Sequence, residues 1–241
     1  MALRALSDFE QELETFRIEE EAAQQSFFAW LSVRNYLAQN KDALAFVNRT
    51  PMFWLTTNHS LLVDAFVSLG RIFDQGSKHN LDKLLRLASK DMAFFTKKAL
   101  AGRKEVDGIS PKDAAAYVSD KHEVTVEDFR RLRKEAAIRR RIYESRYRDI
   151  RDKVFAHNEV GRFGGGSYFA NTNIEEMKEL FAFLSALNDA LWELTVNGRR
   201  PTLNVRNFIL PPAPPSRDRG LLPGEQVARE VSAMFASVIR S

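Results

Sequence analysis

The 241-residue chain has no cysteine, which excludes disulfides, thiolate metal sites and a cysteine nucleophile. It also lacks any apolar run near the roughly 20 residues that span a bilayer, so no contact with a membrane is expected. The opening MALRALSDFE has neither a basic segment leading into an apolar stretch nor a small-residue cleavage site, and nothing in it predicts export. There is no Gly-rich loop ending in Lys-Ser or Lys-Thr, no His-Glu-x-x-His and no Gly-x-Ser-x-Gly, which argues against common ATPases, zinc proteases and serine hydrolases. Runs of alternating strand pattern are missing too, apart from TLNVRNFIL at 202–210. What remains is ample for a folded core, since 44% of residues are hydrophobic and 18 are Phe. The expectation is a soluble, cytoplasmic, all-α protein.

The net charge of +4 is modest, but it is unevenly spread. Near the start, Asp8, Glu10, Glu12, Glu14, Glu19, Glu20 and Glu21 face only Arg4 and Arg17. Between 130 and 153 the balance reverses, with Arg130, Arg131, Arg133, Lys134, Arg139, Arg140, Arg141, Arg146, Arg148, Arg151 and Lys153 against Glu135, Glu144, Asp149 and Asp152. Such a stretch suits a polyanion or an acidic partner segment, and equally a solvated helix face.

Helical spacing runs through most of the chain. Leu6, Phe9, Leu13, Phe16, Ala23, Phe27, Trp30 and Leu37 form one stripe of a long first helix. Pro51 opens a second, so rich in Phe53, Trp54, Leu55, Leu61, Leu62, Val63, Phe66, Val67 and Phe73 that it reads as a central packed helix ending near Gly76. Shorter helical pieces follow at LDKLLRLAS and DMAFFTKKAL, then a break from Gly102 to Pro111, then helix again near Lys112. Thr125 caps a basic helix with apolar positions Phe129, Leu132, Ala136, Tyr143, Tyr147, Ile150 and Val154, uninterrupted by Pro or Gly before Gly161. After the loop GRFGGGSYFANTN comes a strong amphipathic helix through Met177, Leu184 and Leu194, stopped by Gly198. Pro211, Pro212, Pro214 and Pro215 mark an extended segment, placed over 211–223. A short closing helix, Val227 to Val238, docks back or swaps to another chain. The division expected is a helical-bundle domain over 1–198 and a Pro-rich extension over 199–241.

Candidate chemistry is sparse. His59, Ser60 and Asp64 supply triad residue types, but on one helix with no elbow to expose the serine, so a core or helix-surface role is the better reading. Asp74, His79 and Asp82 straddle a turn where such residues are ordinary, and no metal is assigned there. The triple glycine at 164–166 reads as a hinge. Arg103 reads as a surface residue suited to a silent control. RDKVFAH, Arg151 to His157, stands apart. Continuing the stripe Phe129, Ala136, Tyr143, Ile150 by seven puts the His157 imidazole on an apolar face, and Arg151 lies about 120° away around a regular helix. Ile150, Val154 and His157 then form a surface that wants a partner, and a two-fold dimer would gather two Arg and two His. From the residues alone, an enzyme, a non-catalytic RNA- or nucleotide-binding helical dimer and a protein-interaction module all stay open.

RDKVFAHNE resembles the signature of the HEPN superfamily, with Arg151 matching its Arg, Asp152 the polar neighbour and His157 the His. The stretch FWLTTNHSLLVDAFVSLGRIFDQGSKHNLDKLLRLA, with its Phe-Asp-x-Gly helix end at Phe73 to Gly76, is similar to the abortive-infection AbiU-like branch. The resemblance covers roughly 5–197. It implies an HEPN-like helical bundle and a metal-independent RNA endonuclease of toxin or phage-defence type, without cofactor and acting as a homodimer. Arg151 and His157 would be catalytic, and Asp152 would orient them. RNA contacts would come from Arg139, Arg140, Arg141, Tyr143, Arg146, Tyr147, Arg148, Lys153 and Asn158, the tyrosines by packing or base stacking. An antitoxin protein is a further candidate partner. Some family toxins carry, two residues after the His, a Tyr that a nucleotidyltransferase modifies; here that position is Glu159.

Overall fold

The computed structural model describes residues 7–156, 172–208 and 220–239. Among them all regular structure is helical: α1 Asp8–Gln39, α2 Lys41–Val47, α3 Pro51–Phe73, α4 Leu81–Lys90, α5 Lys97–Val106, α6 Pro111–Val118, α7 Val126–Arg146, α8 Ile174–Asn197 and α9 Pro223–Ile239. A 3-10 turn, Met92–Phe95, precedes α5, and a π-helical segment, Ile150–Ala156, follows α7. Residues 202–208 form no strand. None of the described helices is long and apolar enough to cross a membrane.

Side-chain caps start several of these helices. Asn40 accepts from the Ala43 N–H, Asn80 from Lys83, Thr96 from Ala99 and Ser110 from Asp113. Thr125 does the same for α7, accepting from the Asp128 N–H at 3.4 Å. The break expected from Gly102 is shorter, because α5 runs through Gly102 to Val106. The turn comes at Gly108, whose φ of +96° suits glycine.

The chain forms two compact units. The first comprises the described residues of Met1–Ile18, Arg71–Ser145 and Glu179–Arg206. Its core rings meet edge-on where Phe9 lies 5.0 Å from Phe95, and Phe73 stacks on Tyr143 at 5.2 Å. Leu132, Phe181, Leu184, Leu187 and Leu191 are fully buried beside them. Arg103, expected at the surface, instead donates to the Phe94 carbonyl at 2.6 Å and the Thr195 carbonyl at 3.0 Å, and its guanidinium covers the Phe94 ring. It is a structural residue and a poor silent control.

The second unit takes the described residues of Glu19–Gly70, Arg146–Lys178 and Asn207–Ser241. Phe27, Phe28 and Leu31 of α1 are buried in it, with Phe28 and Phe208 rings 4.4 Å apart. Here α9 docks, its buried Phe235 stacked between Tyr36 at 5.0 Å and Trp54 at 5.6 Å. It begins at Pro223, four residues earlier than expected, because proline suits a first helical turn and Glu225 accepts from the Leu222 N–H at 2.9 Å. The segment 211–219 lies outside the described residues. One further expectation fails: α3 is not packed along its length. Met52, Phe53 and Leu55 are 72%, 63% and 66% exposed, and burial becomes general only from Ala65 onward. Apolar composition reported a helix able to be buried, while its first half remains largely exposed among the described residues.

Candidate active site

The basic helix α7 buries the predicted stripe, with Phe129, Leu132, Ala136 and Tyr143 between 0% and 3% exposed. The expected unbroken run to Gly161 is interrupted, however. Regular α-helix ends at Arg146, Tyr147 sits in a turn, and Ile150–Ala156 winds as a π-helix. The separation of about 120° expected for Arg151 and His157 involves a residue, His157, outside the described ones. Such single π segments occur often at functional sites.

Arg151 lies on the first turn of this segment with its side chain 17% exposed. Its Nε donates to Asp152 Oδ1 at 2.6 Å, and its backbone N–H to the Tyr147 carbonyl at 3.2 Å. The guanidinium lies against α3 at Gly70: a methyl group there would come within 2.6 Å of Nη1 and closer still to Cδ. Tyr147 anchors the start of the segment. Its hydroxyl donates to Glu176 Oε1 at 2.7 Å and accepts from the Asn173 N–H at 3.4 Å. Burial, then the bond to Glu176, raises the phenol's pKa well above its ordinary value. Arg146 completes the anchor with a 2.6 Å ion pair to Glu176. Beside Phe66, whose ring is 6.1 Å from Tyr147, a recess of about 50 Å³ opens between Phe27, Trp30, Leu62 and Met177.

The arrangement is a preset cation on a π turn, oriented by the carboxylate next to it in sequence. A model of the HEPN family AbiU2 matches residues 6–209, most of the chain. The chain belongs to the AbiU2 family of HEPN proteins. Membership and the all-helical fold support a general toxin- or RNA-related role, and the family association is consistent with ribonuclease activity. Comparisons with curated proteins and with solved structures return no match.

Of the expected site residues, Arg151 and Asp152 are thus brought together, while His157 and Asn158 lie outside the described residues, as does the triple glycine. Tyr143 and Tyr147 are both 0% exposed, which removes them from base stacking: their rings pack against Phe73 and Phe66. Ile150 is likewise fully buried, so it is not part of an open surface. Arg141 and Arg146 are exposed. Arg140 is paired with Asp82, Arg139 sits 4.0 Å from Glu135 and over the Phe183 ring, and Lys153 pairs with Asp149 at 2.8 Å. Arg148 is half-buried. Among the residues set aside, His59, Ser60 and Asp64 are exposed, with Ser26 donating to Asp64 at 2.6 Å. His79 meets Glu12 at 3.0 Å. Gly70 escaped the sequence reading, although a glycine inside an apolar helix, where it costs stability relative to alanine, was itself a signal.

Proposed function

We propose that this AbiU2-family protein is a metal-independent RNA endonuclease of toxin or phage-defence type, acting in the cytoplasm as a homodimer with Arg151 and His157 at the interface. The observation that carries the proposal is the held guanidinium: Arg151, the residue that the resemblance matches to the HEPN arginine, is oriented by Asp152 and seated on α3 at Gly70. The RNA 2′-oxygen attacks the adjacent phosphorus as His157 takes the hydroxyl proton. The bond from phosphorus to the 5′-oxygen breaks, and that oxygen leaves with a proton from an imidazolium. Arg151 neutralises the charge on the pentacoordinate phosphate between these events. The products are a 2′,3′-cyclic phosphate and a 5′-hydroxyl. A two-fold dimer supplies two imidazoles, one as base and one as acid.

Arg141 and the partly exposed Arg139, Arg140, Arg146, Arg148 and Lys153, with Asn158, are the proposed RNA contacts; the paired ones would exchange a carboxylate for phosphate. An antitoxin protein fits the same reading. With Glu159 two residues after His157, that position offers no hydroxyl for nucleotidyl transfer. Incubation of the purified protein with single-stranded and loop RNA in excess chelator is expected to give cyclic-phosphate ends at an unreduced rate. His157→Ala and Arg151→Ala should each slow cleavage by roughly two to four orders of magnitude, with RNA affinity largely kept. Light scattering should report a dimer. If the wild-type protein leaves a broad RNA panel intact, the nuclease reading fails and the non-catalytic RNA- or nucleotide-binding dimer replaces it.

A further inference from the structure

A glycine in the interior of α3 has a helix-propensity disadvantage against alanine, and no turn or positive φ at Gly70 requires one. What the position does have is a side chain lying across it. A Cβ built on Gly70 would fall within 2.6 Å of Arg151 Nη1 and 3.1 Å of Nε, with Cδ nearer than either. Outside the helix's own backbone, the three atoms nearest that hypothetical methyl all belong to Arg151. By contrast, a Cβ on Gly102, inside α5, meets nothing within 4 Å.

We propose that Gly70 is a positioning residue: its bare backbone forms a notch on α3 that seats the Arg151 side chain and sets where the guanidinium points. This rests on the ribonuclease reading, in which Arg151 meets the phosphate. The notch and the Asp152 carboxylate restrain different parts of the side chain. The notch holds the stem and one terminal nitrogen, while Asp152 holds Nε at 2.6 Å. A methyl in the notch would move a flexible side chain rather than backbone, so the fold should survive while the cation is displaced.

The test is Gly70→Ala, with Gly102→Ala as control, in the full chain. Three things are read: thermal midpoint, RNA cleavage, and the rate at which an arginine-selective dicarbonyl reagent labels Arg151, followed by peptide mass spectrometry. Gly70→Ala should fold with a near wild-type midpoint, label Arg151 severalfold faster, and lower kcat by about 10- to 100-fold with KM little changed, the effect of misplacing a catalytic group by about an ångström. Added to Arg151→Ala it should cost nothing more in cleavage, since the two act through one side chain. Gly102→Ala should match wild type. Should Gly70→Ala alone fail to fold, Arg151→Ala in the same chain should restore folding, and failure of that rescue overturns the notch. Unchanged labelling and unchanged kcat in a folded Gly70→Ala overturn it as well. Faster labelling in a protein whose wild type cuts no RNA keeps the notch and removes the ribonuclease reading instead.

Discussion

Asp128 is 1% exposed yet bears a charge, and its partners explain how. The carboxylate accepts from His122 Nε2 at 2.8 Å and from the Thr125 backbone N–H and hydroxyl at 2.9 Å each, with Arg200 at 3.6 Å and Arg131 at 3.7 Å. Burial pushes its pKa up, but the hydrogen bonds from His122 and Thr125 together outweigh that and hold it below the usual carboxylate value. A depressed folded pKa means stability that is present above the unfolded value and lost as pH falls through the folded one. Asp128→Asn is therefore expected to flatten the loss of stability below about pH 4, read from urea midpoints across pH. Asp128→Ala, which leaves buried donors without an acceptor, should cost about 3 kcal/mol. Asp152 makes a similar bond on a smaller scale, accepting from Arg151 Nε at 2.6 Å.

Among the elements, α7 is the one whose regular helix stops short, at Arg146, just before the candidate site. Tyr147 fixes where it stops, because the phenol is buried and tied to Glu176 and Asn173 at the start of α8. Tyr147→Phe should destabilise the protein by about 1–2 kcal/mol, since Glu176 loses a donor and the Asn173 N–H an acceptor. The sign of the pH effect is opposite to that at Asp128. The Tyr147 pKa is raised in the folded state, so its contribution is whole below the unfolded value of 10.0 and fades as pH climbs above it. Thermal midpoints measured between neutral pH and about pH 11 should fall less steeply in Tyr147→Phe than in the wild type.

For the molecule as a whole, α9 contributes to a core rather than trailing from it. Phe235 is 1% exposed between Tyr36 and Trp54, and Val33, Ala43 and Val47 line the same cluster. Gly224 permits the close start of that helix, since a Cβ there would come within 2.9 Å of the Phe28 ring. Phe235→Ala should cost about 3–5 kcal/mol by calorimetry, the usual range for a buried Phe. A midpoint equal to the wild type's would mean that α9 is dispensable to the second unit. Packing groups Glu179–Arg206 with the first unit and the described residues of Asn207–Ser241 with the second.

Read alone, the sequence established that the protein is helical and where several of its helices begin. The cap residue Thr125 acts over three or four positions, so local order is enough to read it. The spacing of Phe129, Ala136 and Tyr143 reports a shared face for the same reason. Only the tertiary structure decided what lies opposite each face. It buried Tyr143 and Tyr147, left Phe53 and Leu55 in solvent, and ended regular helix before Arg151. It also set Gly70, far away in sequence, beneath the Arg151 guanidinium. Periodicity constrains direction from one helix axis, while burial and side-chain aim depend on the packing of a second helix against it.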